Sequence, residues 1–183
     1  MKQIIASTIF VITSVFMYGQ TPDLKTDIKP TIELNYLNGE LKNPISIPNQ
    51  TNSHYVQLSI TNPTATNPES LYAKYRSPNI GLSALYGYLG SKDVLGSLYS
   101  VYPTWNYTFF KEKSLGLDFK FGTGLAYFTT PYNKETNPTN HLVGSHISNI
   151  TEFSPSVWFK FSDAFTVQSG ISYLHFSNGH TAI

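Results

Sequence analysis

His175 and Ser177 stand two residues apart in the segment Tyr173-Leu174-His175-Phe176-Ser177-Asn178-Gly179. An imidazole beside a serine hydroxyl can take its proton and let the oxygen attack, the smallest unit of nucleophilic catalysis. Asn178 and the backbone N–H of Gly179 follow at once and are suited to hold the oxyanion of an ester-cleaving intermediate. No group that would orient the base is visible nearby. Asp163 falls at the far end of the same predicted strand, and Glu152 on the polar face of the preceding one.

The element that must carry this pair is the run Phe165–Ser177. Phe165, Val167, Ile171 and Tyr173 alternate with Thr166, Gln168, Gly170 and Ser172, the pattern of a β-strand with a different solvent on each face. His175 and Ser177 continue the apolar face, so the natural substrate is a lipid. The same period recurs in Thr31–Tyr36, Tyr55–Ile60, Asn79–Tyr88, Leu98–Phe110, Leu115–Tyr127 and Thr151–Phe161. Leu115–Tyr127 is the clearest, with Leu115, Leu117, Phe119, Phe121, Leu125 and Tyr127 opposite Gly116, Asp118, Lys120, Gly122, Gly124 and Ala126.

Composition narrows the class. Charged residues are 13% of the 183, against about a quarter in ordinary soluble proteins, while aromatics reach 15%. The slightly negative mean hydropathy does not fit a bundle of membrane helices. Few charges, many aromatics and modest hydropathy fit a membrane β-barrel, whose strands show lipid only every second residue. A soluble β-sandwich alternates too, but an export signal and aromatics near strand ends favour the barrel. Met1–Gln20 reads as that signal, with Lys2 ahead of the mostly apolar Ile4–Met17 and a cut near Gly19 or Gln20; an uncleaved anchor is the alternative. Cysteine is absent, which excludes disulfides and thiolate metal sites. The net charge of +1 makes no electrostatic case for nucleic acid.

Loop lengths orient the barrel. Lys111–Ser114 and Ser162–Ala164 are tight links, whereas Asn38–His54 and Thr129–Ser148 are long, as periplasmic turns and outer loops are. This puts His175 and Ser177 near the outer surface. Asn62–Pro78 is too long for an inner turn, and Leu71–Arg76 within it has strand character. The expectation is an all-β, antiparallel up-and-down transmembrane β-barrel over residues 21–183. Seven segments are an odd number, so an eighth strand is expected beyond Ile183 and the fragment is C-terminally truncated.

His175-Phe176-Ser177-Asn178 resembles the His-x-Ser-Asn motif of the lipid A deacylases of Gram-negative outer membranes, the PagL-type 3-O-deacylase family. Gly122-Thr123-Gly124-Leu125-Ala126-Tyr127, Asn137-Pro138 and Gly144-Ser145-His146 look like its acyloxyacyl hydrolase branch. The resemblance covers Tyr75 to Ile183. It implies an eight-stranded outer-membrane barrel acting on lipid A of lipopolysaccharide in the outer leaflet, with His175 as base, Ser177 as nucleophile and no cofactor. It also implies a glutamate about a dozen residues past the serine as the catalytic acid, which lies beyond Ile183. The motif His175–Gly179 matches outer-membrane phospholipase A equally well, but that family has twelve strands and the chain is short for them.

A non-catalytic barrel or adhesin remains a third reading, in which His175 and Ser177 belong to a polar collar and Asn178-Gly179 is a turn. His54, His141, His146 and His180 fall in predicted loops without metal-ligand spacing. Asp118 and Lys120 are expected to meet inside the barrel. Trp105, Trp158 and the tyrosines near strand ends are expected as interfacial anchors.

Overall fold

Period-two alternation becomes strand throughout the computed structural model, which describes residues 4–9, 12–15, 30–42, 47, 50–62, 78–110, 114–162 and 165–178. The strands are β1 (Ile4–Ile9), β2 (Ile12–Val15), β3 (Thr31–Lys42), β4 (Ser53–Asn62), β5 (Asn79–Tyr88), β6 (Ser97–Phe109), β7 (Leu115–Phe128), β8 (Ile147–Lys160) and β9 (Phe165–Ser177). From β3 to β9 each strand pairs antiparallel with the next, and spatial order follows chain order. These seven match the seven predicted segments. Leu71–Arg76 lies outside the described residues.

Two strands run further than their patterns suggest: β3 to Lys42 rather than Tyr36, and β8 from Ile147 rather than Thr151. Leu37, Leu41 and Ile150 keep the pleat but turn apolar side chains inward, which erases the polar half of the alternation. The link between β3 and β4 is therefore shorter than the expected Asn38–His54.

β3 and β9 do not pair with each other. One strand's width separates them, and β1 lies there, antiparallel to both, with Ile5 opposite Lys42 on one side and His175 on the other. β2 continues along β9, with Ile12 opposite Gln168. The seven strands thus form a nearly closed barrel, one strand short of closure.

The wall sorts its side chains sharply. Leu34, Tyr36, Leu58, Leu82, Val101, Phe121, Leu125, Phe153, Phe159 and Ile171 all face outward and are exposed. The inside has two layers. Toward the end that carries links 43–52, 89–96 and 129–146, Leu37, Leu85, Leu98, Phe128, Ile150, Leu174 and Phe176 form an apolar core. Toward the other end the lining is polar, and several of its buried groups are partnered within it. Glu152 Oε2 accepts from Gln57 Nε2 at 2.7 Å and Tyr102 Oη at 2.8 Å, while its Oε1 accepts from Ser154 Oγ at 2.7 Å. Gln168 Nε2 donates to Ser156 Oγ.

Asp118 and Lys120 both turn into the barrel and interact there, and Lys120 Nζ also makes an ion pair with Glu33 Oε2 at 2.7 Å, across the barrel on β3. One expectation about the lining needs correction. Trp158 is no interfacial anchor: its even position turns it inward, where it packs over Gly116, and a Cβ there would overlap the indole. Tyr55 and Tyr102 are also buried inside. Trp105 does face outward, tilted against Phe121 with ring centroids 6.1 Å apart.

Candidate active site

The last turn of the pleat in β9 decides where His175 and Ser177 point. Leu174 and Phe176 are both buried in the apolar core, and the Phe176 ring meets Phe128 edge-on at 5.3 Å. Fixing these two inward forces the residues between and after them outward. His175 and Ser177 therefore share the outer face with Ile171 and Tyr173, at the barrel end that carries link 129–146. Gln168 and Ser172 line the interior, as the alternation requires.

The pair is close but not engaged. The His175 ring lies parallel to that of Tyr173, with centroids 6.4 Å apart and planes 3° off parallel. No hydrogen bond joins His175 to Ser177 among the described residues. The i, i+2 spacing along a strand is ~6.6 Å, so contact needs the two side chains to lean together. Proton transfer would follow a rotation of the imidazole away from Tyr173 toward Ser177, the loose-to-tight change common in resting catalytic sites. His175 Nδ1 is buried and has no hydrogen-bond partner among the described residues. Asn178 sits one residue past β9. Gly179 and Asp163 lie outside the described residues.

Register brings in three further polar residues that the sequence pattern does not single out. Thr151 on β8 is opposite His175, Asn149 is opposite Ser177, and Thr123 on β7 is opposite Thr151. All three occupy odd positions on the outer, otherwise apolar face. Asn149 Nδ2 donates to Thr123 Oγ1 at 3.2 Å and to the Gly124 carbonyl at 3.0 Å. Thr151 Oγ1 donates in turn to Asn149 Oδ1 at 3.1 Å. The result is a small polar island formed by Thr123, Asn149, Thr151, His175 and Ser177. A sequence signal did exist: polar residues sit in phase with Phe121, Leu125 and Phe153, where the period calls for apolar ones.

Glu152 does not face His175. It points into the barrel, one position from Thr151 but through the wall from His175, and its carboxylate is held by Gln57, Tyr102 and Ser154. The other described histidines stand by tyrosines. His54 Nδ1 bonds Tyr36 Oη at 2.7 Å, His146 stacks on Tyr127 at 5.3 Å, and His141 is tilted against Tyr132. These rings make an amphipathic fringe at the same end of the barrel as the polar island.

No protein-family model matches the chain, and no curated protein or solved structure does so either. The fold is an up-and-down antiparallel β-barrel, a form compatible with an outer-membrane protein.

Proposed function

We propose that this chain is an outer-membrane serine esterase that removes an ester-linked acyl chain from lipid A. One observation carries the proposal: a histidine and a serine share the outside of a largely apolar barrel wall, within a small polar island. Polar groups facing lipid are expensive and rarely idle. The wall suits a bilayer. Leu115 to Tyr127 spans ~40 Å along β7, or ~30 Å in height at a tilt of roughly 40°, against an apolar band of about 25 Å in outer-membrane barrels.

His175 acts as base and Ser177 as nucleophile. The imidazole takes the hydroxyl proton as Ser177 Oγ attacks the acyl carbonyl. Asn178 and the N–H of Gly179 hold the developing oxyanion, and the imidazolium returns the proton to the departing sugar hydroxyl. Water then attacks the acyl-enzyme with His175 again as base, releasing the free fatty acid and restoring Ser177. A carboxylate on a strand filling the place between β9 and β3, opposite His175, would share its outer face and reach the unpartnered Nδ1. With Met1–Gln20 as an export signal, cleavage vacates the place that β1 holds. The intact mass of the exported protein tests that step, with the mature chain expected to start near Thr21.

The deciding experiment is mass spectrometry of lipid A from cells with and without the protein, alongside Ser177→Ala. Loss of one hydroxyacyl chain only with the parent is the expected result. Phospholipid breakdown instead makes the protein a phospholipase A, and unchanged lipids make it a non-catalytic barrel.

A further inference from the structure

Beyond the polar island, the outer wall carries an apolar groove of about 770 Å³. Two neighbouring rows of the sheet line it. One row is Val56, Tyr86, Tyr99, Tyr127 and Ile147, paired in sequence across β4 to β8. The other is Leu58, Ala84, Val101 and Leu125. This second row does not stop at Leu125: the same register continues through Asn149 to Ser177. The nucleophile candidate thus stands at one end of a ladder row whose other end is an apolar trough.

We propose that this groove binds the fatty acyl chain of the lipid whose ester bond is presented to Ser177, and that Ala84 sets how long a chain it accepts. Three features favour an acyl chain. The lining is aliphatic side chains and tyrosine rings with one serine, Ser100, and no charged group. Ala84 is the smallest side chain on its row, between Leu58 and Val101, and its size creates the depression. From β9 to β5 the row crosses four strand spacings, ~19 Å in all, the scale of a long extended acyl chain. Elsewhere large rings crowd the outer wall, as where Phe119 meets both Phe109 and Phe153. Lipid lying along the row would bring its carbonyl past Leu125 and Asn149 to the serine.

The inference rests on the esterase reading for the position of the ester, so its test has one arm that needs no turnover. The purified protein, as Ser177→Ala, is placed in phosphatidylethanolamine vesicles doped with a phospholipid bearing a photoreactive diazirine on its acyl chain. Illumination and peptide mapping should concentrate label on Leu58, Ala84, Val101 and Leu125, and Ala84→Trp should remove most of it. Label spread evenly round the wall, as for ordinary boundary lipid, overturns the groove, as does protection of the groove by a second copy of the chain.

In the second arm, the parent protein hydrolyses esters of short and long acyl chains. Ala84→Trp should lose about tenfold in kcat/KM on the long ester and keep the short one, the discrimination that blocking even a methylene's room carries. Equal loss or no loss on both overturns chain-length control by Ala84. Labelling of the groove without any ester hydrolysis would retire the esterase and leave the lipid site standing.

Discussion

The imidazole of His175 is parallel to the phenol ring of Tyr173 within 3°, and its Nδ1 is buried without a partner. A ring so placed has a flat neighbour beside it and a buried ring nitrogen that no described group engages. Its reach to Ser177 is a rotation away. If His175 is the base proposed above, its hydrogen bond to Ser177 is loose at rest, as such bonds often are before substrate binds.

Loss of either member of the pair should remove the chemistry and spare the fold. Ser177→Ala and His175→Asn are each expected to cut esterase activity by roughly a thousandfold or more, and the double variant little further, because such units fail together. Both face outward, so heat-resistant migration on gels should be unchanged. Activity of Ser177→Ala near that of the parent assigns the chemistry elsewhere.

Tyr173 is a positioning residue in this scheme. Tyr173→Ala should lower kcat about tenfold with KM little altered, since a misaimed base costs rate rather than binding. Tyr173→Phe keeps the flat ring and should keep the rate. Equal losses in the two variants would mean that the hydroxyl, not the parallel ring, matters.

Inside the barrel, Lys120 and Glu33 are bound to one another, both side chains buried. Removing one partner, as in Lys120→Met or Glu33→Gln, should cost about 3–5 kcal/mol by leaving the other unpaired. Replacing both, with Met at 120 and Leu at 33, should recover most of that loss. Urea unfolding in detergent micelles reads both outcomes. A double variant as unstable as the singles would show that the pair's other contacts matter more than its charge.

How much of this was written in the sequence depends on which face a residue occupies. Leu115–Tyr127 was legible because its outer and inner faces carry different chemistry, large apolar side chains outside against glycine, alanine and charged ones inside. The ends of β3 and β8 were not, because Leu37, Leu41 and Ile150 face an apolar core, and an apolar interior behind an apolar exterior has no period. Trp158 departs from its expected place for a related reason: an aromatic near a strand end is an anchor only if its parity points outward. Lys120 and Asp118 are neighbours in the sequence, but the ion pair joins Lys120 to Glu33, a strand on the other side of the barrel. The outward direction of His175 and Ser177 was readable from parity alone. Asn149 and Thr151 needed the register of β8 on β9, which no local pattern states.

Glu152 separates the interior network from the outer chemistry. It is the carboxylate nearest to His175 along the register, opposite Leu174 on the neighbouring strand, and on sequence grounds it competes for the role of catalytic acid. Geometry assigns it otherwise: both of its oxygens are occupied inside the barrel, by Gln57, Tyr102 and Ser154. Glu152→Gln keeps the shape but turns one acceptor into a donor facing Gln57 Nε2, Tyr102 Oη or Ser154 Oγ. The expected cost is about 1–3 kcal/mol, the penalty for a mispaired buried polar group. Esterase turnover, measured where the variant is fully folded, should match the parent at every pH. A drop of a hundredfold or more in kcat at full folding would instead make Glu152 part of the catalytic unit and require a different orientation for β8.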